Sequence, residues 1–186
     1  MENRKYIFCL EAVSDTDIDI STEALQSLEK LAFEQGIDSV YKTCDTIEGL
    51  EDSLVVLLDQ DHNFKHYEII YLIMKGEENN VCINDYYYSL IEIAELFEGR
   101  MKNKIIHFAN VKTLDLTQEE AQYFLDVTGA RAVSGYGAAL ETISSSKLDN
   151  IFFSLCQDQD DVTEIVEDLY ERHYNLCKIL DFRMYY

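Results

Sequence analysis

At 186 residues, with 36 Asp and Glu set against 15 Lys and Arg, the chain carries a formal net charge of −21. Nucleic-acid affinity rests on phosphate neutralisation and no basic stripe supplies it here, so nucleic acids and anionic membrane surfaces are excluded as partners. The length suits one core and one domain, residues 1–186; with no proline, seven glycines and no Ser/Gly-rich run, nothing reads as a linker.

Residues 1–5 pass directly into the apolar run 6–10, which is too short for a signal h-region. No later stretch approaches the ~20 apolar residues that span a bilayer, so a cytoplasmic protein is expected. The cysteines Cys9, Cys44, Cys82, Cys156 and Cys177 are odd in number and lack C-x-x-C spacing, so they are expected as reduced thiols, mostly packed.

In chain order, residues 6–11 predict a first strand, and Ser21 caps a helix whose Leu25, Leu28, Leu31 and Ala32 share a face before Gly36 ends it. Residues 37–42 give a second strand, and Thr46 begins a helix with Ile47, Leu50, Leu54, Leu57 and Leu58 at helical spacing. Residues 62–66 are a polar loop. Within residues 68–74 the run Ile69, Ile70, Tyr71, Leu72, Ile73 does not alternate, the pattern of a central strand covered on both faces. Residues 76–80 read as a turn and 81–84 as a short strand, followed by Asp85, Tyr86, Tyr87 and Tyr88.

Ser89 and Glu92 make a capping box for a helix with Leu90, Ile93, Ala94 and Phe97 inward, stopped by Gly99. Residues 104–109 are the next buried strand, and Thr117 with Glu120 is a second capping box ahead of Ala121, Phe124, Leu125 and Gly129. Residues 130–136 supply another strand. Residues 144–156 and 161–178 read as helices, the latter with Val162, Ile165, Val166, Leu169, His173 and Leu176 or Cys177 inward, and the tail 180–186 returns as a strand. The alternation predicts an α/β fold with a mostly parallel central sheet and helices on both faces.

In such a sheet, chemistry sits outside the carboxyl ends of the strands. Two ends stand out, Met74-Lys75-Gly76 and Asn110-Val111-Lys112. Around them, residues 66–146 resemble the caspase-like cysteine peptidases, a family that includes the bacterial CHAT-type proteins and small bacterial relatives. In that family an apolar strand ends in His-Gly, a β-hairpin and a helix follow, and a second apolar strand ends in a small residue and the nucleophilic Cys. The matching pieces are residues 69–74, Lys75-Gly76-Glu77-Glu78, the short strand 81–84, the helix 89–98 and the strand 105–111, while residues 129–136 resemble the strand after the cysteine strand. The resemblance implies a caspase-like three-layer sandwich with a small β-hairpin insertion.

Lys75 stands where that family has its His, and Val111 where it has its Cys. A thiol–imidazole pair needs a group that becomes a thiolate and a base with pKa near neutrality. Valine supplies neither, and a solvated lysine with a pKa of about 10.4 is mostly protonated. The chain thus resembles a pseudopeptidase, expected to be no enzyme and to need no cofactor, acting as an interaction or regulatory protein in bacterial stress or defence. Gly76 and the backbone around Asn110 keep part of an oxyanion pocket, with Glu77 and Lys112 flanking the same cleft.

Two other readings stand beside this one. Cys82, the thiol nearest the expected cleft, and His107, four residues before Val111, are candidates for a relocated catalytic site. The acidic surface alone would suit a decoy for a basic partner protein. His62 and His66 beside Asp59 and Asp61, and Glu77 and Glu78 with Asp85, lack the grammar of a metal site, and none is expected. Tyr86, Tyr87 and Tyr88, on alternating faces of an extended segment, put at least one tyrosine outside, which suits a protein interface. Phe182, Met184 and Tyr186 alternate with Arg183 and Tyr185 as in an edge strand. Because caspase-like proteins dimerise through their last strand, a homodimer through this tail is expected.

Overall fold

A computed structural model describes residues 6–14, 23–112, 114–138 and 144–186, with the backbone alone described for residues 110–112. Ser21, the expected helix cap, lies outside the described residues. The chain runs through β1 (Tyr6–Ala12), α1 (Glu23–Gln35), β2 (Ser39–Cys44), α2 (Ile47–Val55), β3 (Tyr67–Ile73), β4 (Lys75–Glu77), β5 (Asn80–Ile83), β6 (Tyr86–Ser89), α3 (Leu90–Glu95), β7 (Ile105–Lys112), α4 (Gln118–Thr128), β8 (Ala132–Tyr136), α5 (Ser146–Asp158), α6 (Val162–Leu180) and β9 (Phe182–Tyr185).

Among the described residues these strands form one sheet of nine. Its parallel centre is β2-β1-β3-β7-β8, and β9 closes one side by pairing antiparallel with β8. The register Ile69↔Ile105, Tyr71↔His107 and Ile73↔Ala109 keeps β3 and β7 in step along their length. Because both faces are covered, neighbouring residues of one strand enter different cores. Phe8, Leu10, Ile70, Leu72, Ile106 and Phe108 pack with Leu50 and Leu54 of α2, Ile93 of α3 and Phe124 of α4. Ile7, Cys9, Ile69, Tyr71, Ile105 and Ala109 pack with Leu28 of α1, Phe152 and Phe153 of α5 and Leu169 of α6. Each fully buried Leu or Phe contributes roughly 1.5–3 kcal/mol, which is why these strands read as unbroken apolar runs.

Both capping boxes form. Ser89 Oγ accepts from the Glu92 backbone N–H while the Glu92 carboxylate accepts from the Ser89 N–H, and Thr117 and Glu120 repeat the exchange. Gly129, at φ 73, ends α4 in the left-handed conformation, where a side chain would be strained.

Several local expectations shift. The second strand starts at Ser39, two residues later than its apolar residues suggested, because Ile37 is spent on the core before the strand begins. Ala32 is exposed, since the inward face of α1 runs through Ala24, Leu28 and Leu31. The helix begun at Thr46 continues beyond α2 as a wider turn over Val56–Gln60, which buries both Leu57 and Leu58. In α6, His173 departs from helical geometry at φ −131 and is only half-buried. That kink carries the buried face from Leu169 to Cys177 and Leu180 and leaves Val166 and Leu176 half-buried.

The largest correction is the segment after β3. Residues 76–80 are not one turn: β4, β5 and β6 form an antiparallel meander with two-residue turns at Glu78-Asn79 and Asn84-Asp85. All four turn residues have positive φ, between 51 and 64, the geometry that matches the twist of tight hairpins. Asn and Asp tolerate it better than other residues with side chains.

Candidate functional site

β4 continues the path of β3, and its pairing Glu77↔Lys112 with β7 follows Ile73↔Ala109. Between these pairs the register slips by one residue, so Lys75 lies level with Asn110 and Val111 at the carboxyl edge of the two central strands. The side chain of Lys75 is exposed, and of Val111 only the backbone position is described. Across the hairpin Cys82 faces Lys75 in register, half-buried, with Tyr87 as its other neighbour. Gly76 has a packing reason of its own, because a side chain there would run into the backbone carbonyl of Asn80. Asn79 anchors the hairpin to the loop after β7: its side chain donates to the Asp115 carbonyl at 2.8 Å and accepts from the Asp115 N–H at 2.7 Å.

Lys75, Gly76, Glu77, Cys82, Asn110 and Lys112 thus share one edge, and His107 does not join them. It lies level with Tyr71 and Ser134 in mid-sheet, fully buried on the face covered by α1, α5 and α6. Buried polar groups need partners, and His107 has two: Nδ1 lies 2.8 Å from Ser134 Oγ and Nε2 lies 2.8 Å from Asp149 Oδ1. Asp149, in the first turn of α5 where the helix dipole favours an anion, is itself buried. Its other oxygen accepts from the Tyr71 hydroxyl at 2.7 Å and from Ser145 Oγ at 3.0 Å, while the Tyr136 hydroxyl donates to Oδ1. A carboxylate has lone pairs for all four donors. A neutral imidazole that donates Nε2–H to Asp149 then accepts the Ser134 hydroxyl at Nδ1. Burial first, and Asp149 next, push the Tyr71 and Tyr136 hydroxyls well above the ordinary tyrosine range, so both remain donors.

Serine, histidine and aspartate in a row have the composition of an acyl-transfer relay, yet this cluster offers no place for a substrate. Ser134 and His107 are 0% exposed. The approach past Asp149 from the carboxyl edge is a cavity of about 40 Å³ beside Glu11, Ser144 and Ser145, with room for water and nothing larger. Aromatic rings of Phe152, Phe153 and Tyr136 enclose the imidazole at centroid distances of 5.1, 5.5 and 5.6 Å. The network bonds helix to sheet.

Sequence reasoning singled out His107 but missed Asp149, Ser134, Tyr71, Tyr136 and Ser145 as its surroundings. A histidine in an apolar run demands an acceptor, and Asp149, at helical spacing from Phe152 and Phe153, was the signal that could have supplied it.

Tyr86 and Tyr87 are 67% and 59% exposed on β6, the terminal strand of the meander, while Tyr88 is half-buried against the core. In β9, Phe182 is buried and Met184 half-buried on one face and Tyr185 packs toward the opposite core, while Tyr186, just past the strand, is exposed. The tail is therefore packed on both faces rather than one. Cys9, Cys44, Cys156 and Cys177 are buried, and all five cysteines are unbridged. Burial raises Cys44 and Cys177 to about 11 and pushes Cys9 well above the ordinary thiol range, so these thiols are inert near neutrality. Among the described residues no group of three or more His, Cys, Asp or Glu is placed to hold a metal ion, and no helix is long and apolar enough to cross a membrane.

Fold and edge together define an α/β domain with a mostly parallel central sheet, whose loops and hairpin gather at the carboxyl ends of β3 and β7. The chain belongs to the family of unknown function DUF6642, whose model matches residues 4–186. No curated protein matches it.

Proposed function

We propose that this protein is a non-catalytic caspase-like domain that works in the cytoplasm as an interaction or regulatory protein, in a bacterial stress or defence setting. The observation that carries the reading is the register that brings Lys75 level with Asn110 and Val111 at the sheet edge, with a hairpin and the capped helix α3 between the two strands. This is the order of parts in the peptidases, with an ammonium and an isopropyl group where an imidazole and a thiol are required. A catalytic His107 is disfavoured because both ring nitrogens are engaged inside the core. The exposed Tyr86 and Tyr87 on a terminal strand supply amphipathic contact area of the kind protein interfaces favour.

The test pairs two measurements on pure protein. Peptide-library hydrolysis is expected to stay at background, and Tyr86→Ser with Tyr87→Ser is expected to release whichever partner co-purifies with the native protein. Hydrolysis abolished by Cys82→Ala would sink the reading, because it would place a working thiol in the cleft.

A further inference from the structure

At the opposite, amino end of the central strands lies a pocket of about 510 Å³, within the range of small-molecule sites. It is built from the turn before β3, the loop 100–104 that leads into β7, and the residue that precedes β8. Lys65, Arg100, Lys102, Lys104 and Arg131 line it together with His66. That is a third of the 15 Lys and Arg in a chain of net charge −21. The carboxylates of the lining are Glu68 and Asp160.

Three of the cations are held in place by the fold. Lys104 is buried, donates from Nζ to the carbonyls of Phe64 at 2.8 Å and Tyr67 at 2.5 Å, and sits 4.4 Å above the Phe64 ring. Arg131 pairs with Glu68 and donates to the Asp160 carbonyl at 2.8 Å, while its buried Nε has no hydrogen-bond partner among the described residues. Arg100 reaches Asp59 at 2.5 Å and the Leu58 carbonyl. The other two differ: Lys65 and Lys102 are exposed and form no ion pair among the described residues. Among the described residues nothing in the packing calls for them. Like charges gathered in one concavity repel, and a bound anion relieves that repulsion. Focused positive potential in a chain this acidic marks a site for a small anion, whereas a long polyanion would meet the surrounding carboxylates.

We propose that this pocket binds a small phosphate-bearing ligand, with Lys65 and Lys102 as mobile contacts and Lys104, Arg131 and Arg100 as the fixed positive floor. The proposal is independent of the reading of the carboxyl edge.

Calorimetric titration at low ionic strength tests it, with pyrophosphate, adenosine 5′-monophosphate and citrate as probes. Pyrophosphate is expected to bind saturably, and Lys65→Glu with Lys102→Glu to weaken it about tenfold or more. Both residues are exposed, so the double variant should keep the native circular dichroism spectrum. Adenosine monophosphate binding at least as tightly as pyrophosphate assigns a nucleotide, and weaker binding assigns a simpler phosphate; either supports the site. Citrate binding equal to pyrophosphate overturns the phosphate assignment. The absence of saturable heat, or binding unchanged in the double variant, overturns the pocket.

Discussion

Replacing Asp149 with asparagine changes one oxygen of a buried group and nothing of its shape, so it isolates the hydrogen-bond network. Four donors converge on the two carboxylate oxygens: His107 and Tyr136 on one, Tyr71 and Ser145 on the other. Asparagine turns one oxygen into an NH2 group, and two of the four donors then face a donor. Bonds to a charged group are worth about 1.5–3 kcal/mol each, so two of them set an upper range of roughly 3–6 kcal/mol. The Tyr71 and Ser145 hydroxyls can rotate to accept from the new amide, which brings the expected loss to about 3 kcal/mol. In a domain of this size that is a fall of about 6–12 °C in Tm. Urea unfolding at neutral pH, followed by circular dichroism, gives the free energy directly. Asn150→Ala is the control: the side chain of this adjoining residue accepts one part-buried hydrogen bond, from Ser27, and its loss is expected to cost no more than about 1 kcal/mol. If Asp149→Asn lies within about 1 kcal/mol of wild type, the network does not hold α5 to the sheet.

Burial lowers Lys104 to about 8 from an ordinary value of 10.5. Between those values the unfolded chain holds the proton and the native state has released it, so the residue's contribution to stability rises with pH. The native protein is expected to gain on Lys104→Met by up to about 1.4 kcal/mol per pH unit above pH 8. Reading the difference cancels the buried thiols, which pull the other way, and a pH-independent gap refutes the shift. Gly76→Ala is expected to cost about 1–3 kcal/mol by forcing β4 from β5, and an unchanged Tm would deny the close contact with Asn80. Deleting residues 181–186 should convert a dimer to monomer in light scattering if β9 pairs copies; a native monomer at micromolar concentration would end that proposal.

What was legible in the sequence was local. Ser89 with Glu92 and Thr117 with Glu120 satisfy each other within one turn, so three-residue spacing alone located α3 and α4. The double-sided burial of β3 and β7 left its mark as runs without alternation. What escaped depends on partners distant in sequence or on residues in unfavoured roles. Lys75-Gly76-Glu77 has no strand propensity and becomes β4 only because β5 and β7 pair with it. Asn84-Asp85 turns a hairpin without the usual glycine. Asp149 reads as one acid among many until α5 sets it against His107. The basic pocket was hidden by the charge total, since its cations come from residues 65, 100–104 and 131 and meet only in the folded chain.

The polar cluster also makes the two faces of the sheet unequal. On the α2, α3 and α4 side contact with the sheet is apolar and non-directional, so side chains of similar volume can be exchanged and the helices can settle by small slides. On the other side a single carboxylate reads positions on β3, β7 and β8 at once, and any rotation or shift of α5 breaks several bonds together. One layer is cushioned and the other is keyed. Drift in sequence and motion in solution are both steered toward the cushioned layer, while α5 stays fixed to the strands that carry the carboxyl edge.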